Sequence, residues 1–98
     1  MVSSSVRSAQ LRRLMSQGVV MLPGAFNALS ARMIEREGFG ALYVSGAVLA
    51  NSIGGVPDVG LMTLTESRDH ITHIANVTSI PMIADADTGY GGPENAAR

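Results

Sequence analysis

The sequence predicts an α/β fold, namely the first three βα units of a (β/α)8 TIM-type barrel that is incomplete within these 98 residues. Three observations carry that prediction. Short apolar runs at VVML (19–22), ALYVSG (41–46) and IPMIAD (80–85) read as strands. Segments of helical periodicity separate them, which implies βαβ units, parallel pairing and right-handed crossovers. The notable polar residues fall where the second and third strands end, and in a barrel that end carries the chemistry. Three parallel strands leave two open edges, and the last helix has barely begun at Arg98. Residues 1–98 therefore read as the N-terminal part of a single barrel domain, a fold that needs about 250 residues to close. The rival, a small doubly wound sheet, would also need more strands.

Taken in order, Leu11, Leu14 and Met15 share one helical face and Gly18 suits a C-terminal cap, so the pattern predicts a helix over 6–17. VVML is stopped by Pro23 and Gly24, consistent with a strand buried on both faces. Asn27 opens a helix over 27–37, with Leu29 and Met33 as its apolar spacing, Arg32, Glu35 and Arg36 outside, and Gly38 at its end. A long connection follows ALYVSG and runs through GGVPDVGLM to a further helix. There Thr63 and Glu66 form a Thr-x-x-Glu capping box, and Leu64, Ile71 and Ile74 make the apolar stripe. His70 and His73 have ligand-like spacing, but Glu66 and Asp69 each stand four residues earlier, so both histidines read as paired on a solvated face. Pro81 lies near the start of the third strand, where a missing donor is tolerated. Pro93 suits the first turn of a last helix, and Glu94 complements its dipole.

Composition narrows the function. With 46% hydrophobic and 15% charged residues the chain has a globular make-up. A net charge of -1 and a pI near 6.0 give no field for nucleic acid or an anionic membrane. Small molecules or protein partners are expected instead. The absence of cysteine excludes disulfides, thiolate metal ligands and any thiol acid or nucleophile from this chain. The opening MVSSSVRSAQ lacks a signal-like apolar run, and no stretch approaches the roughly 18 apolar residues of a membrane span, so a cytoplasmic location is expected.

The site candidates follow from strand geometry. Side chains alternate along a strand, so Tyr43 and Ser45 point to one side, as do Asp85 and Asp87. If those sides face the barrel axis, four polar side chains converge on its mouth, with Gly46 beside them. Two carboxylates held close repel one another unless a cation sits between them. Mg²⁺ suits such a pair, because it takes one or two carboxylates and fills its octahedron with water and substrate oxygens. Asp58, in VPDVG, is the candidate for an outer-shell acid. The glycines of TGYGG would let backbone approach an anion, with the helix after Pro93 aimed at it. Asp is also common at turns, and spacing alone leaves metal ligation and turn formation both open.

The runs LPGAFNALSARMIEREGFGALYVSG, GGVPDVGLMTLTE and IPMIADADTGYGGPENAAR together resemble the isocitrate lyase and phosphoenolpyruvate mutase superfamily, most of all its 2-methylisocitrate lyase branch. The resemblance covers nearly the whole chain after residue 20. It implies that Asp85 and Asp87 hold Mg²⁺, one directly and the other partly through water, with Asp58 supporting the shell. It implies that Ser45, Gly46 and Asp85 engage the α-oxyacid end of the substrate, and that Tyr43 stands near the reacting oxygens as a candidate proton relay. The implied whole protein is a (β/α)8 barrel that swaps its last helix and assembles as a homotetramer. Its implied partner is a small 2-hydroxy or 2-oxo carboxylic acid, and its implied reaction splits 2-methylisocitrate into pyruvate and succinate in propionate catabolism. The lyases also use a cysteine in a Lys-Lys-Cys-Gly-His type motif, which this chain lacks, so the 98 residues alone are expected to be inactive. Oxaloacetate decarboxylase and carboxyphosphonoenolpyruvate mutase relatives share the Asp-x-Asp strand end and differ largely in that loop. A non-catalytic binding or assembly module is the alternative from another class.

Overall fold

The computed structural model describes residues 2–98. In chain order the elements are helices α1 (Ser4–Ser16) and α2 (Ala28–Arg36), strand β1 (Leu42–Val44), the short helical turn α3 (Gly46–Val48) continuing as a π-helical turn Leu49–Gly54, helix α4 (Leu64–Val77), strand β2 (Met82–Ala84) and helix α5 (Pro93–Ala97). Among the described residues no helix is long and apolar enough to cross a membrane.

The fold is α/β around a two-stranded parallel sheet in which Leu42 pairs with Met82, Tyr43 with Ile83 and Val44 with Ala84. The alternation of β1 decides its two faces. Leu42 and Val44 are buried with Ala25, Ala31, Ile74 and Ile80, and Ile34, Ile71 and Met82 pack against that cluster. Tyr43 lies half-buried on the opposite face, where its register partner Ile83 is exposed.

The expected first strand does not form. Residues 19–22 carry no ladder, and Val19 and Met21 face solvent. Pairing with β1 begins only at Pro23–Ala25: Tyr43 donates its amide to the Pro23 carbonyl at 3.0 Å, and Ala25 donates to the Tyr43 carbonyl at 2.8 Å. The result is a single parallel bridge between Gly24 and Tyr43, so the expected direction is kept and a strand is not. An apolar run needs a partner backbone on its flank to become a strand, and β1 offers hydrogen-bonding groups only to the residues after VVML.

The helices form from the capping signals. Asn27 Oδ1 accepts from the Ser30 amide at 2.8 Å, and the Asn27 amide donates to Ser30 Oγ at 3.1 Å. Thr63 and Glu66 make the expected box, with the Thr63 amide donating to Glu66 Oε2 at 2.8 Å and the Glu66 amide to Thr63 Oγ1 at 3.2 Å. Two packing expectations change. The face of α2 turned to the sheet carries Ala31 and Ile34, whereas Leu29 and Met33 are exposed. The histidine pairs are also absent, because Glu66 is committed to its cap and Asp69 to Arg68, whose Nη2 stands 2.7 Å from Asp69 Oδ1.

Arg7 supplies an unexpected tie. Although α1 is otherwise largely exposed, this side chain is buried, and its Nη2 donates to the carbonyls of Ala75 at 2.9 Å and Thr78 at 2.5 Å. Those carbonyls belong to the C-terminal end of α4, where helical acceptors lack partners of their own. Glu35 of α2 adds a second tie, accepting from the Ser79 amide at 2.9 Å and from the Ser79 hydroxyl. Both contacts lie where the chain enters β2, at the end of the sheet opposite the candidate site.

Candidate functional site

The in-register strands bring the sequence candidates side by side. β1 ends at Val44, and Ser45 caps α3 by accepting from the Val48 amide at 3.4 Å. The Asp85 amide donates to the Val44 carbonyl at 2.9 Å, which sets Asp85 directly beside this junction. Asp85 Oδ1 then accepts from the Asp87 amide at 2.8 Å, closing a turn in which Asp87 adopts a left-handed φ of 46°. Asp is one of the few non-glycine residues that tolerates that region.

Gly46 reveals where the acids point. A β-carbon built there would lie 3.0 Å from Asp85 Oδ2 and 3.2 Å from Asp87 Oδ1. Both carboxylates therefore converge on the start of α3. Asp85 thus spends one oxygen on the turn and leaves the other directed, with Asp87 Oδ1, toward the start of α3.

The remaining candidates are distributed less evenly. Tyr43 stands two residues before Ser45 in extended backbone, on the face opposite Leu42 and Val44. Asp58 is exposed in the connection after the π-helical turn, and among the described residues no group of three or more His, Cys, Asp or Glu side chains forms. The structure thus does not bring Asp58 to the acid pair. What approaches from that connection is the segment 60–64, which together with Asp87, Thr88, Tyr90 and Gly91 lines a cleft next to the acids. The sequence reading did not foresee this cleft, because its two walls are far apart in sequence. Tyr90 supports the turn from below, at φ 61° and with its hydroxyl 3.4 Å from the Asp85 carbonyl. Gly91 has a φ of 157°, which side chains rarely adopt, and a β-carbon there would fall 2.0 Å from Asn95 Nδ2, the movable end of a side chain of α5. With five residues α5 sums few peptide dipoles, and the expectation of anion binding at its start gains nothing from it.

Two side chains of the scaffold titrate away from their ordinary values. The Ser79 hydroxyl and amide bonds hold the Glu35 carboxyl below its ordinary range, with a smaller contribution from the Arg7 charge. Burial pushes the His70 imidazole down, and the neighbouring His73 adds to this. Neither group lies among the converging acids. The donor set at Gly46 is hard oxygen alone, two carboxylates directed at one space, and this fits a small hard cation such as Mg²⁺.

A parallel α/β unit that gathers carboxylates and a helical turn at the carboxyl ends of its strands has the layout of a βα enzyme site. The chain belongs to the phosphoenolpyruvate phosphomutase family, whose profile matches residues 11–98. It is 47% identical over 92 residues to the "probable 2-methylisocitrate lyase 2" of Corynebacterium glutamicum, covering 94% of this chain and 30% of that protein. The crystal structure of 2,3-dimethylmalate lyase, a PEP mutase/isocitrate lyase superfamily member, matches with a TM-score of 0.85 and 42% identity over 99% of this chain and 34% of that one. Phosphonopyruvate hydrolase in complex with oxalate and Mg²⁺ matches with a TM-score of 0.79 and 30% identity, covering 97% of this chain and 32% of that one. The chain thus spans about a third of the length of the relatives it matches.

Proposed function

We propose that this chain is the N-terminal part of a (β/α)8 barrel enzyme, a Mg²⁺-dependent carbon–carbon lyase that cleaves 2-methylisocitrate to pyruvate and succinate. The observation that carries the proposal is the convergence of Asp85 Oδ2 and Asp87 Oδ1 beside Gly46, at the strand ends. Similarity to 2-methylisocitrate and 2,3-dimethylmalate lyases supports the bond cleaved, and similarity to a hydrolase holding oxalate and Mg²⁺ supports the metal and the 2-oxo acid end. Asp85 and Asp87 would hold the cation. When bound, Mg²⁺ supplies Lewis acidity at the α-oxygen and carboxylate of the forming 2-oxo acid.

This chain's own residues do the rest of the work assigned here. The Gly46 amide approaches the substrate carboxylate. The Ser45 hydroxyl, which accepts from Val48, still has its proton to donate to that carboxylate. Tyr43, on the same side two residues earlier, relays the hydroxyl proton whose departure starts the bond cleavage, its phenol oxygen receiving that proton as its own passes to solvent. No thiol of this chain protonates the second product, since it has no cysteine.

A second reading, an oxaloacetate decarboxylase or carboxyphosphonoenolpyruvate mutase relative, is favoured by the likeness to phosphonopyruvate hydrolase, because the 2-oxo acid end is common to all three chemistries. Pyruvate release from 2-methylisocitrate separates them. The full-length protein should release pyruvate only with Mg²⁺, and Asp87→Ala in it should abolish release while keeping its far-UV circular dichroism. Full activity in Asp87→Ala would remove the metal assignment, and inertness of the wild type toward 2-methylisocitrate alongside turnover of oxaloacetate or a phosphonate would select the second reading.

A further inference from the structure

We propose that Gly46 is a positioning residue for the acid pair: its missing β-carbon keeps Asp85 Oδ2 and Asp87 Oδ1 converged, so divalent-cation affinity depends on Gly46 before any substrate binds. The inference rests on the metal reading of Asp85 and Asp87, and adds to it a role for Gly46 that is independent of substrate.

The backbone does not require glycine here. Gly46 lies in the first turn of α3 and is not among the glycines with positive φ, so alanine fits its conformation and has the better helix propensity. A requirement for glycine must therefore come from space. A β-carbon would stand 3.0 Å from Asp85 Oδ2, 3.2 Å from Asp85 Cγ and 3.2 Å from Asp87 Oδ1. These contacts are tighter than ordinary van der Waals packing, so a carboxylate would have to give by a few tenths of an ångström.

Neither side has slack. The Asp85 carboxylate is pinned through Oδ1 to the Asp87 amide at 2.8 Å, and its own amide is held by the Val44 carbonyl at 2.9 Å. The left-handed turn fixes the backbone of Asp87. On the other side, the Ser45 carbonyl accepts from the Leu49 amide at 3.1 Å, and Ser45 Oγ caps Val48, which holds residue 46 against the acids. Mg²⁺ demands near-ideal octahedral placement of its oxygens, so displacement of one carboxylate should weaken it strongly.

The test is a calorimetric titration of the wild-type protein and Gly46→Ala with MgCl₂ without substrate, beside thermal unfolding without metal. The inference predicts a folded Gly46→Ala that binds Mg²⁺ roughly tenfold more weakly or worse. A purely structural role would leave affinity unchanged. If Gly46→Ala fails to fold, removing the opposing group should relieve the conflict, and the double variant Gly46→Ala with Asp85→Ala should refold. Wild-type Mg²⁺ affinity in a folded Gly46→Ala, or a misfolded variant not rescued by Asp85→Ala, overturns the inference alone. A wild-type protein that binds no Mg²⁺ overturns the metal reading and this inference with it.

Discussion

At the residue scale, Ser45 and the acid pair define what the site is able to hold. If Ser45 donates to a substrate carboxylate, Ser45→Ala should weaken oxalate binding in the presence of Mg²⁺ by about 10 to 150-fold, the equivalent of the roughly 1.5 to 3 kcal/mol of one hydrogen bond to a charged group. Unchanged oxalate affinity would leave Ser45 as the cap of α3 and nothing more. Asp85 and Asp87 were legible in the sequence because a strand ending in Asp-x-Asp-x-Gly states both its turn chemistry and its place at the strand's carboxyl end. The steric demand on Gly46 was not legible. It arises from contact with residues some forty positions later, and a glycine that needs no positive φ carries no local signal of why it is there.

At the element scale, capping residues specified the helices, and packing decided which faces they bury. Asn27 with Ser30 and Thr63 with Glu66 set both helix starts as expected. The apolar spacing of Leu29 and Met33 predicted the wrong side of α2, because the side facing the sheet uses the small Ala31 to bring the helix close. Two substitutions check this assignment by urea unfolding. Ile74→Ala, at a fully buried position, should cost about 2 to 5 kcal/mol, whereas Leu29→Ser should stay within about 0.5 kcal/mol. The ties from α1 and α2 to the end of α4 add a pH signature. Ser79 and Arg7 keep the Glu35 carboxyl below its ordinary value of 4.5, so as pH falls the unfolded chain takes up this proton first. The stability that Glu35 contributes is therefore fully present above pH 4.5 and is lost as pH drops through the lower folded value. Glu35→Gln should flatten the acid limb of unfolding midpoint against pH, and an identical acid limb would show that the Ser79 contact contributes nothing. Neither tie was readable beforehand, since Arg7 and Glu35 both carry charges that pattern reasoning assigns to the solvated side.

At the scale of the whole molecule, the parallel α/β plan and the meeting of Asp85 with Asp87 at the strand ends were readable, while the extent of the sheet was not. Three apolar runs suggested three strands, yet VVML lacks a flanking ladder and stays extended, leaving β1 and β2 alone. Val44 is covered by α2 and α4, whereas Ile83 is exposed on the opposite face. In the proposed barrel that face looks toward the axis, and Tyr43, Ser45 and the acid pair mark its mouth. The central claim is that this mouth binds a 2-oxo acid only through a cation held by Asp85 and Asp87. The direct measurement is calorimetric binding of oxalate to the wild-type protein and to the Asp85→Ala, Asp87→Ala double variant, each with and without Mg²⁺. The account predicts binding only by the wild type and only with Mg²⁺; oxalate binding that persists in the folded double variant, or that ignores Mg²⁺, would contradict it.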